Sequence, residues 1–500
     1  MPVMVPSDRL HAVYIVFILL GVATLLPWNC MISNANFFEV RLRNAPKALA
    51  GSFEAAVTVV FQVTNAAALL VLLPWQGRLR LTLQVVPPLI VAAALLLLEA
   101  ALAFNSRASG TAIALCTLAI TALLGASTAL LQGGVYALAA CLSPLYVQAA
   151  SVGMAVSGFG VSALSFGTVW ATPSDASTAP RTPVEVAPTA TAYFGVSAAL
   201  TAAAVGGYAA LGFLPYWRHH SAASLTGAKR ETAPEPAESS AADEGRLLSP
   251  GYAASHADSS YPSEQDSRRM SAGASASGEL ETWAGAERGK THASGAGQEG
   301  ASQQLGALEL IWLLRGHSAV LAATYGATLV VFPSVTAAIC STFSATARTP
   351  CEPHPPAGRL YGELWVPLLF LAYNGGDLLG RMAAGCGSWA VNPPRMRVLG
   401  TYTAARALVA LAMLLCHVVT PEPWRLPVLF SSDVFPLLFN VVLGVTNGHL
   451  VSLAAMHCPA ILPPSMRHQS GPVITFASVG GLTLGSLASL ALMEALQIRA

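Results

Sequence analysis

Apolar residues run through this chain in long blocks, and polar or Pro/Gly-rich stretches separate one block from the next. A bilayer hydrocarbon core about 30 Å thick takes roughly 20 apolar residues per helical crossing, so blocks of that length predict transmembrane helices. Eleven are predicted, near 12–33, 55–74, 82–104, 112–141, 146–171, 191–216, 318–340, 364–386, 398–419, 434–458 and 472–494. Arg9 precedes the first block and no small-residue cleavage site follows it, so it reads as a retained helix.

The gap between the sixth and seventh blocks differs in kind. Residues 218–306 are rich in Ala, Ser, Gly and Glu and cannot bury enough apolar area to offset the entropy of ordering them. They predict a disordered linker whose serines are candidate phosphorylation targets on what is otherwise a connector. The expected architecture is all-α and polytopic. Residues 1–217 form an N-terminal bundle of six transmembrane helices, and residues 307–500 a C-terminal bundle of five.

Composition strengthens the membrane reading. Apolar residues make up 54% of the chain, charged residues only 10% against about 25% in soluble domains, and mean hydropathy is +0.56. A net charge of +1 supplies no basic field for nucleic acid, so no nucleic-acid partner is expected and function must lie in local constellations. The eight cysteines show no CxxC and no Cys/His metal spacing, and neither a metal nor another cofactor is expected. Cys340 and Cys351 flank a short polar loop, STFSATARTP, and would bridge if that loop faced an oxidising compartment. Intramembrane catalysis would call for paired aspartates on neighbouring helices or an HExxH, and neither is present; an enzyme is not expected.

Polar groups inside the blocks carry the chemistry. Within YNGGDLLGR (373–381), Asp377 and Arg381 are four residues apart, so they share a helical face and can pair. Each would cost about 2.5–3.5 kcal/mol at the centre of a membrane helix if left uncompensated. They therefore face the bundle interior or a wet cavity, either as a bridge that only holds helices in register or as part of a substrate or gating site. In LLPWN (25–29), Pro27 interrupts the backbone ladder beside an indole and an amide, which suits a cavity-lining helix; an interfacial tryptophan is the plainer reading of Trp28. Gln132, in ALLQGGVYAL, is either helix-to-helix glue or a planar partner for a solute. Gly153, Gly158 and Gly160 in the fifth block, and Gly481 and Gly485 in the eleventh, read first as tight packing. FPSVT (332–336) and TNGHL (446–450) place a helix breaker and a polar cluster at membrane depth. Glu99 and His449 can titrate, so each is a candidate proton carrier as well as an ordinary interior group. Lys and Arg counts on the two sides of the predicted helices do not decide orientation.

Taken together, LLPWN, LQGG, the glycines of the fifth block, FPSVT, NGGDLLGR and TNGHL resemble, in order and spacing, the equilibrative nucleoside transporter family across nearly the whole membrane-embedded chain. The Pro-Trp-Asn of the first helix with the Asn-x-x-Asp-x-x-x-Arg of the eighth is the most specific combination. The resemblance implies a 6+5, major-facilitator-like fold with a cytosolic N-terminus and a cytosolic central linker. It implies that Leu25, Trp28 and Asn29 line a central cavity, with Trp28 against the nucleobase. Gln132 would bond the base edge, Asp377 and Arg381 would meet the ribose hydroxyls, and Phe370 and Asn374 would share their helix face. A nucleoside suits such a set, because its flat base matches an aromatic surface and a planar amide while its adjacent hydroxyls match a charge-assisted pair.

Departures from the family pattern bear on selectivity. Position 154 is Met, where the cation-preferring branch of the family looks to use a glutamate, so organic-cation transport is disfavoured. His449 and Ile32 stand where many relatives carry an aromatic residue and a methionine, which leaves purine against pyrimidine preference open. The implied activity is alternating-access transport of nucleosides, with nucleobases as further substrates, by facilitated diffusion or with protons coupled. Its rival is transport of another small organic solute, such as an organic cation, on the same fold. The expected location is the lipid bilayer of the plasma membrane, with an intracellular membrane as the alternative.

Overall fold

The computed structural model describes residues 6–76, 79–105, 107–171, 182–220, 305–342, 358–418 and 426–498. Its long helices are α1 (Ala12–Ser33), α3 (Lys47–Gln76), α4 (Leu81–Phe104), α5 (Gly110–Ala140), α6 (Pro144–Ala171) and α7 (Pro183–Leu211), with a short α2 (Ala35–Leu42) after the first. In the second half, α8 (Ala307–Leu313) leads into α9 (Arg315–Val331), followed by α10 (Trp365–Ala384), α11 (Met396–Leu414), α12 (Val434–His457) and α13 (Ser470–Leu496). No strand occurs among the described residues beyond an isolated bridge between Ile339 and Val418.

Each of the eleven predicted blocks coincides with one long helix. Nine helices among the described residues are long and apolar enough to cross a membrane; α3 and α10 are outside those nine, and α10 is the helix that carries Asp377 and Arg381. Three boundaries move by eight or nine residues: α3 begins at Lys47 rather than near 55, and two others move for local reasons. The sixth helix begins eight residues before its predicted start, because Pro183 occupies its first turn and Thr182 and Glu185 form a reciprocal capping box there. The seventh ends at Val331, where Phe332 turns to extended backbone ahead of Pro333 and a single helical turn, Ser334–Ala337, follows.

Most of the predicted linker, 221–304, lies outside the described residues, as does Cys351. Cys340 is disulfide-bonded. The Cys340 N–H donates to His417 O at 2.9 Å beside the Ile339–Val418 bridge, tying the segment after α9 to the one after α11.

Packing depends on missing side chains. A Cβ at Gly21 would strike Ala150 O and one at Gly153 would strike Ile18 O, so α1 and α6 touch backbone to backbone. The same holds for α10 and α12, where a Cβ at Gly380 would strike Val445 O and one at Gly448 would strike Asp377 O. Gly481 and Gly485 sit against Ala322 and Gly326 of α9, the tight packing expected of them. The first helical bundle meets the second chiefly where α6 packs on α10 and α12 and where α5 and α3 pack on α13. Outward faces carry exposed apolar side chains such as Val71, Leu97, Leu123, Leu408 and Leu484, the surface a bilayer requires.

Candidate site at the bundle interface

The interface between α6 and α10 has two ends. The near end is where α1 and α6 begin and α10 and α12 finish; the far end is where α1 and α6 finish and α10 begins.

The α10 pair lies toward the near end. Arg381 Nε donates to Asp377 Oδ2 at 2.8 Å, and the two side chains are 4% and 8% exposed. Their surroundings are polar. Asn447 Nδ2 of α12 donates to Asp377 Oδ1 at 2.6 Å, while Arg381 Nη1 reaches across to α6 and donates to Ser151 Oγ at 2.9 Å and Ser151 O at 3.2 Å. Ser151 Oγ and Ser452 Oγ of α12 share a hydrogen bond at 2.8 Å. Gln148 Nε2 donates to Arg381 O at 2.8 Å and its Oε1 accepts from Tyr14 Oη of α1 at 2.9 Å. The near-end cap reaches the start of the chain, where Asp8 accepts from the Val13 and Tyr14 N–H groups and from Tyr146 Oη. Hydrogen bonds of this kind offset part of the cost of burying a charged pair.

Toward the middle, Asn29 and Asn374 come to the two sides of one glycine. Asn29 Nδ2 donates to Ser157 Oγ at 2.7 Å and Asn374 Nδ2 to Ser162 Oγ at 2.8 Å, both serines on α6. A Cβ at Gly158, between them, would lie 2.8 Å from Asn374 Oδ1 and 3.9 Å from Asn29 Nδ2. Leu25, Trp28, Asn29, Phe370 and Asn374 are all half-buried. Trp28 packs its indole on Phe61 of α3, ring centroids 4.5 Å apart at 32°, which fixes the ring plane. Phe370 meets Phe332, which also stacks on Tyr373 at 3.8 Å. Gln132 is 6% exposed, and no hydrogen bond among the described residues joins it to the other seven candidates.

At the far end, Arg359 pairs with Glu363 and donates from Nη1 to Trp170 O at 2.9 Å and from Nη2 to Val169 O at 2.6 Å, linking the approach to α10 with the end of α6.

Several members of this arrangement were not among the sequence candidates. Ser151, Ser157 and Ser162 are ordinary small residues until α10 is placed against α6. Asn447 sits in the TNGHL cluster, so its signal was present. Arg406 of α11, 2% exposed and linked to Asn447 through Thr328, was marked only by a lone arginine in TYTAARALVALAML.

Comparison with known proteins places these motifs in a family context. The chain is 27% identical to equilibrative nucleoside transporter 3 of Rattus norvegicus, over 98% of this chain and 90% of that protein. It is 26% identical to equilibrative nucleoside transporter 2 of Homo sapiens over 96% of each. Among solved structures, the fucose:proton symporter FucP of E. coli aligns with 97% of this chain and 92% of its own, at 10% identity and a TM-score of 0.47. The model of a family described as nucleoside transporter matches residues 118–493, about three quarters of the chain. This integral membrane protein belongs to the nucleoside transporter family.

Proposed function

We propose that this protein carries nucleosides, with nucleobases as further substrates, across a membrane by alternating access of its two helical bundles. Family membership supports the substrate class. One geometric observation carries the mechanism. Arg381 pairs with Asp377 inside the C-terminal bundle and also donates across to Ser151 of the N-terminal bundle, so the buried charge sits on the boundary that must open and close.

In this reading all eleven long helices cross the bilayer, α3 and α10 included, and α10 is less apolar because it borders the passage. The N-terminus and the 218–306 tether lie in the cytosol, which makes the near end cytosolic. Trp28, held by Phe61, meets the base, with Leu25 beside it and Gln132 for the base edge. Asn29, Phe370 and Asn374 line the middle of the passage. Asp377 retains acceptor capacity beyond its bonds to Arg381 and Asn447, and Arg381 retains donors, so together they suit vicinal ribose hydroxyls. No bond in the solute is made or broken.

The test is uptake of labelled adenosine and uridine by cells lacking their own carriers, with and without a pH gradient. Saturable uptake that unlabelled inosine competes away is expected. Failure of adenosine, inosine and uridine to compete with any labelled solute would overturn the nucleoside reading. Trp28→Ala is expected to change the ratio of adenosine to uridine uptake more than it changes abundance in the membrane; an unchanged ratio would remove Trp28 from the base site.

A further inference from the structure

We infer that Arg406 is a positioning residue for Asp377, acting through Thr328 and Asn447 to fix how the carboxylate is presented to a ribose hydroxyl. The inference rests on the reading of Asp377 given above and extends the site to α9 and α11.

A guanidinium is among the costliest groups to hold at membrane depth, and Arg406 has no carboxylate partner among the described residues. Its charge is held by neutral oxygens on two other helices, α9 and α12. Nε donates to Thr446 Oγ1 at 2.9 Å, Nη1 to Thr324 O at 2.9 Å, and Nη2 to Thr328 Oγ1 at 2.8 Å and Leu443 O at 3.1 Å. Thr328 has one hydroxyl hydrogen and two acceptors in reach, Thr324 O and Asn447 Oδ1, each at 2.9 Å. Arg406 already donates to Thr324 O, which leaves Asn447 Oδ1 as the better acceptor.

A single direction then runs through the whole chain. Arg406 Nη2 donates to Thr328, Thr328 to Asn447 Oδ1, and Asn447 Nδ2 to Asp377 Oδ1. With a cation at its head and an anion at its tail, every bond in this relay is polarised the same way, and such chains strengthen one another in a low-dielectric interior. Arg381 holds the other carboxylate oxygen, so two arginines on different helices fix the plane of one aspartate. Without Arg406, the Thr328 hydroxyl can turn back to Thr324 O, as threonines commonly do in helices, and Asn447 is no longer held. Asp377 then rotates toward Arg381 alone.

The experiment compares purified full-length wild type with Arg406→Gln, Arg406→Lys, Thr328→Val and Asp377→Asn in proteoliposomes, measuring KM and maximal rate for uridine, 2′-deoxyuridine and 3′-deoxyuridine. Asp377→Asn is the reference that should erase the preference for the ribose. Arg406→Gln and Thr328→Val should each reduce that preference at least fivefold by raising the uridine KM, with the KM of one deoxynucleoside unchanged. Arg406→Lys should recover part of it. Thr328→Val keeps every charge and a similar volume, so it decides the matter even if Arg406→Gln yields no folded protein. If Asp377→Asn erases the preference while Thr328→Val, and Arg406→Gln where it folds, lower all three uptakes equally or not at all, Arg406 is only a structural staple and this inference is overturned. If wild type shows no ribose preference, or Asp377→Asn leaves it intact, the placement of Asp377 at the ribose fails first and takes the inference with it.

Discussion

The two ends of the α6–α10 interface are closed by the same chemistry in opposite settings. At the near end an arginine pairs with a carboxylate one turn away and donates across to α6, at 4% and 8% exposure; at the far end another does the same at 38% and 23% exposure. In the dry setting each broken bond leaves a polar group stranded, at about 1–3 kcal/mol apiece, whereas exposed pairs are typically worth only about 0–1 kcal/mol because water replaces the lost partner. The proposed alternating-access cycle needs one closure to part while the other holds. The far latch is the one that parts at low cost. On the proposed reading the near lock must be compensated as it opens, and a solute hydroxyl arriving at Asp377 and Arg381 would be a group able to do so.

Removing the near lock should therefore give the largest effect. Arg381→Ala leaves Asp377 buried beside Asn447 without its cation and removes both hydrogen bonds that Nη1 donates to Ser151. Breaking a buried pair by deleting one partner costs about 3–5 kcal/mol, so a clear drop in thermal stability and at least roughly a tenfold loss of uridine uptake per surface copy are expected. Uptake normalised to surface protein is the check. A fully active Arg381→Ala transporter at normal abundance would mean that the pair neither closes the near end nor meets the solute.

Much of this was legible in the sequence, and what was not legible has a common cause. Block length alone located the eleven long helices, nine of which are long and apolar enough among the described residues to cross a bilayer, whose thickness sets one length for such helices. The four-residue spacing of Asp377 and Arg381 was enough to predict their pairing, since it is a property of one helix. Ser151, Ser162 and Arg359 could not be singled out, because their meaning comes from which helix they face, and nothing local encodes the register of α6 against α10. Gly444 and Gly448 belong to the same class, becoming informative only once α12 lies against Gly376 and Gly380. Arg406 was different: an arginine inside an apolar block is a local signal as strong as Asp377, but it lacks a carboxylate at helical spacing and so suggests no partner.

A smaller perturbation asks whether the near lock is electrostatic or merely close packing. Ser151→Ala with Ser452→Ala removes the hydroxyl bridge between α6 and α12 and one acceptor of Arg381, while the ion pair stays intact. A neutral buried hydrogen bond is worth about 0.5–1.5 kcal/mol net, which moves a two-state population roughly 2- to 12-fold toward the near-open state. Val147 is 1% exposed at this end, beside a crevice of about 140 Å³ lined by Ser143, Met456 and Arg467, so Val147→Cys serves as a reporter. Its labelling by a thiol reagent added on the near side should accelerate several-fold in the double-serine background. Unchanged labelling would assign the closure to glycine-mediated backbone contact alone.

The smallest expected effect belongs to the far latch, and it is the one that makes the contrast sharp. Arg359 caps Val169 O and Trp170 O, carbonyls in the last turn of α6 that have no partner within the helix, where a cation also meets the negative end of the helix dipole. Water can take over both roles when the side chain is removed. Arg359→Ala should therefore cost no more than about 1 kcal/mol, change uridine uptake by less than roughly fivefold, and do so by raising the far-open population. Because exposed charges are screened, the difference between wild type and variant should shrink as salt rises from low ionic strength to about 1 M, where the Debye length is near 3 Å. A salt-insensitive loss as large as that of Arg381→Ala would show that both ends are held by equivalent locks, and the asymmetry argued from burial would fall.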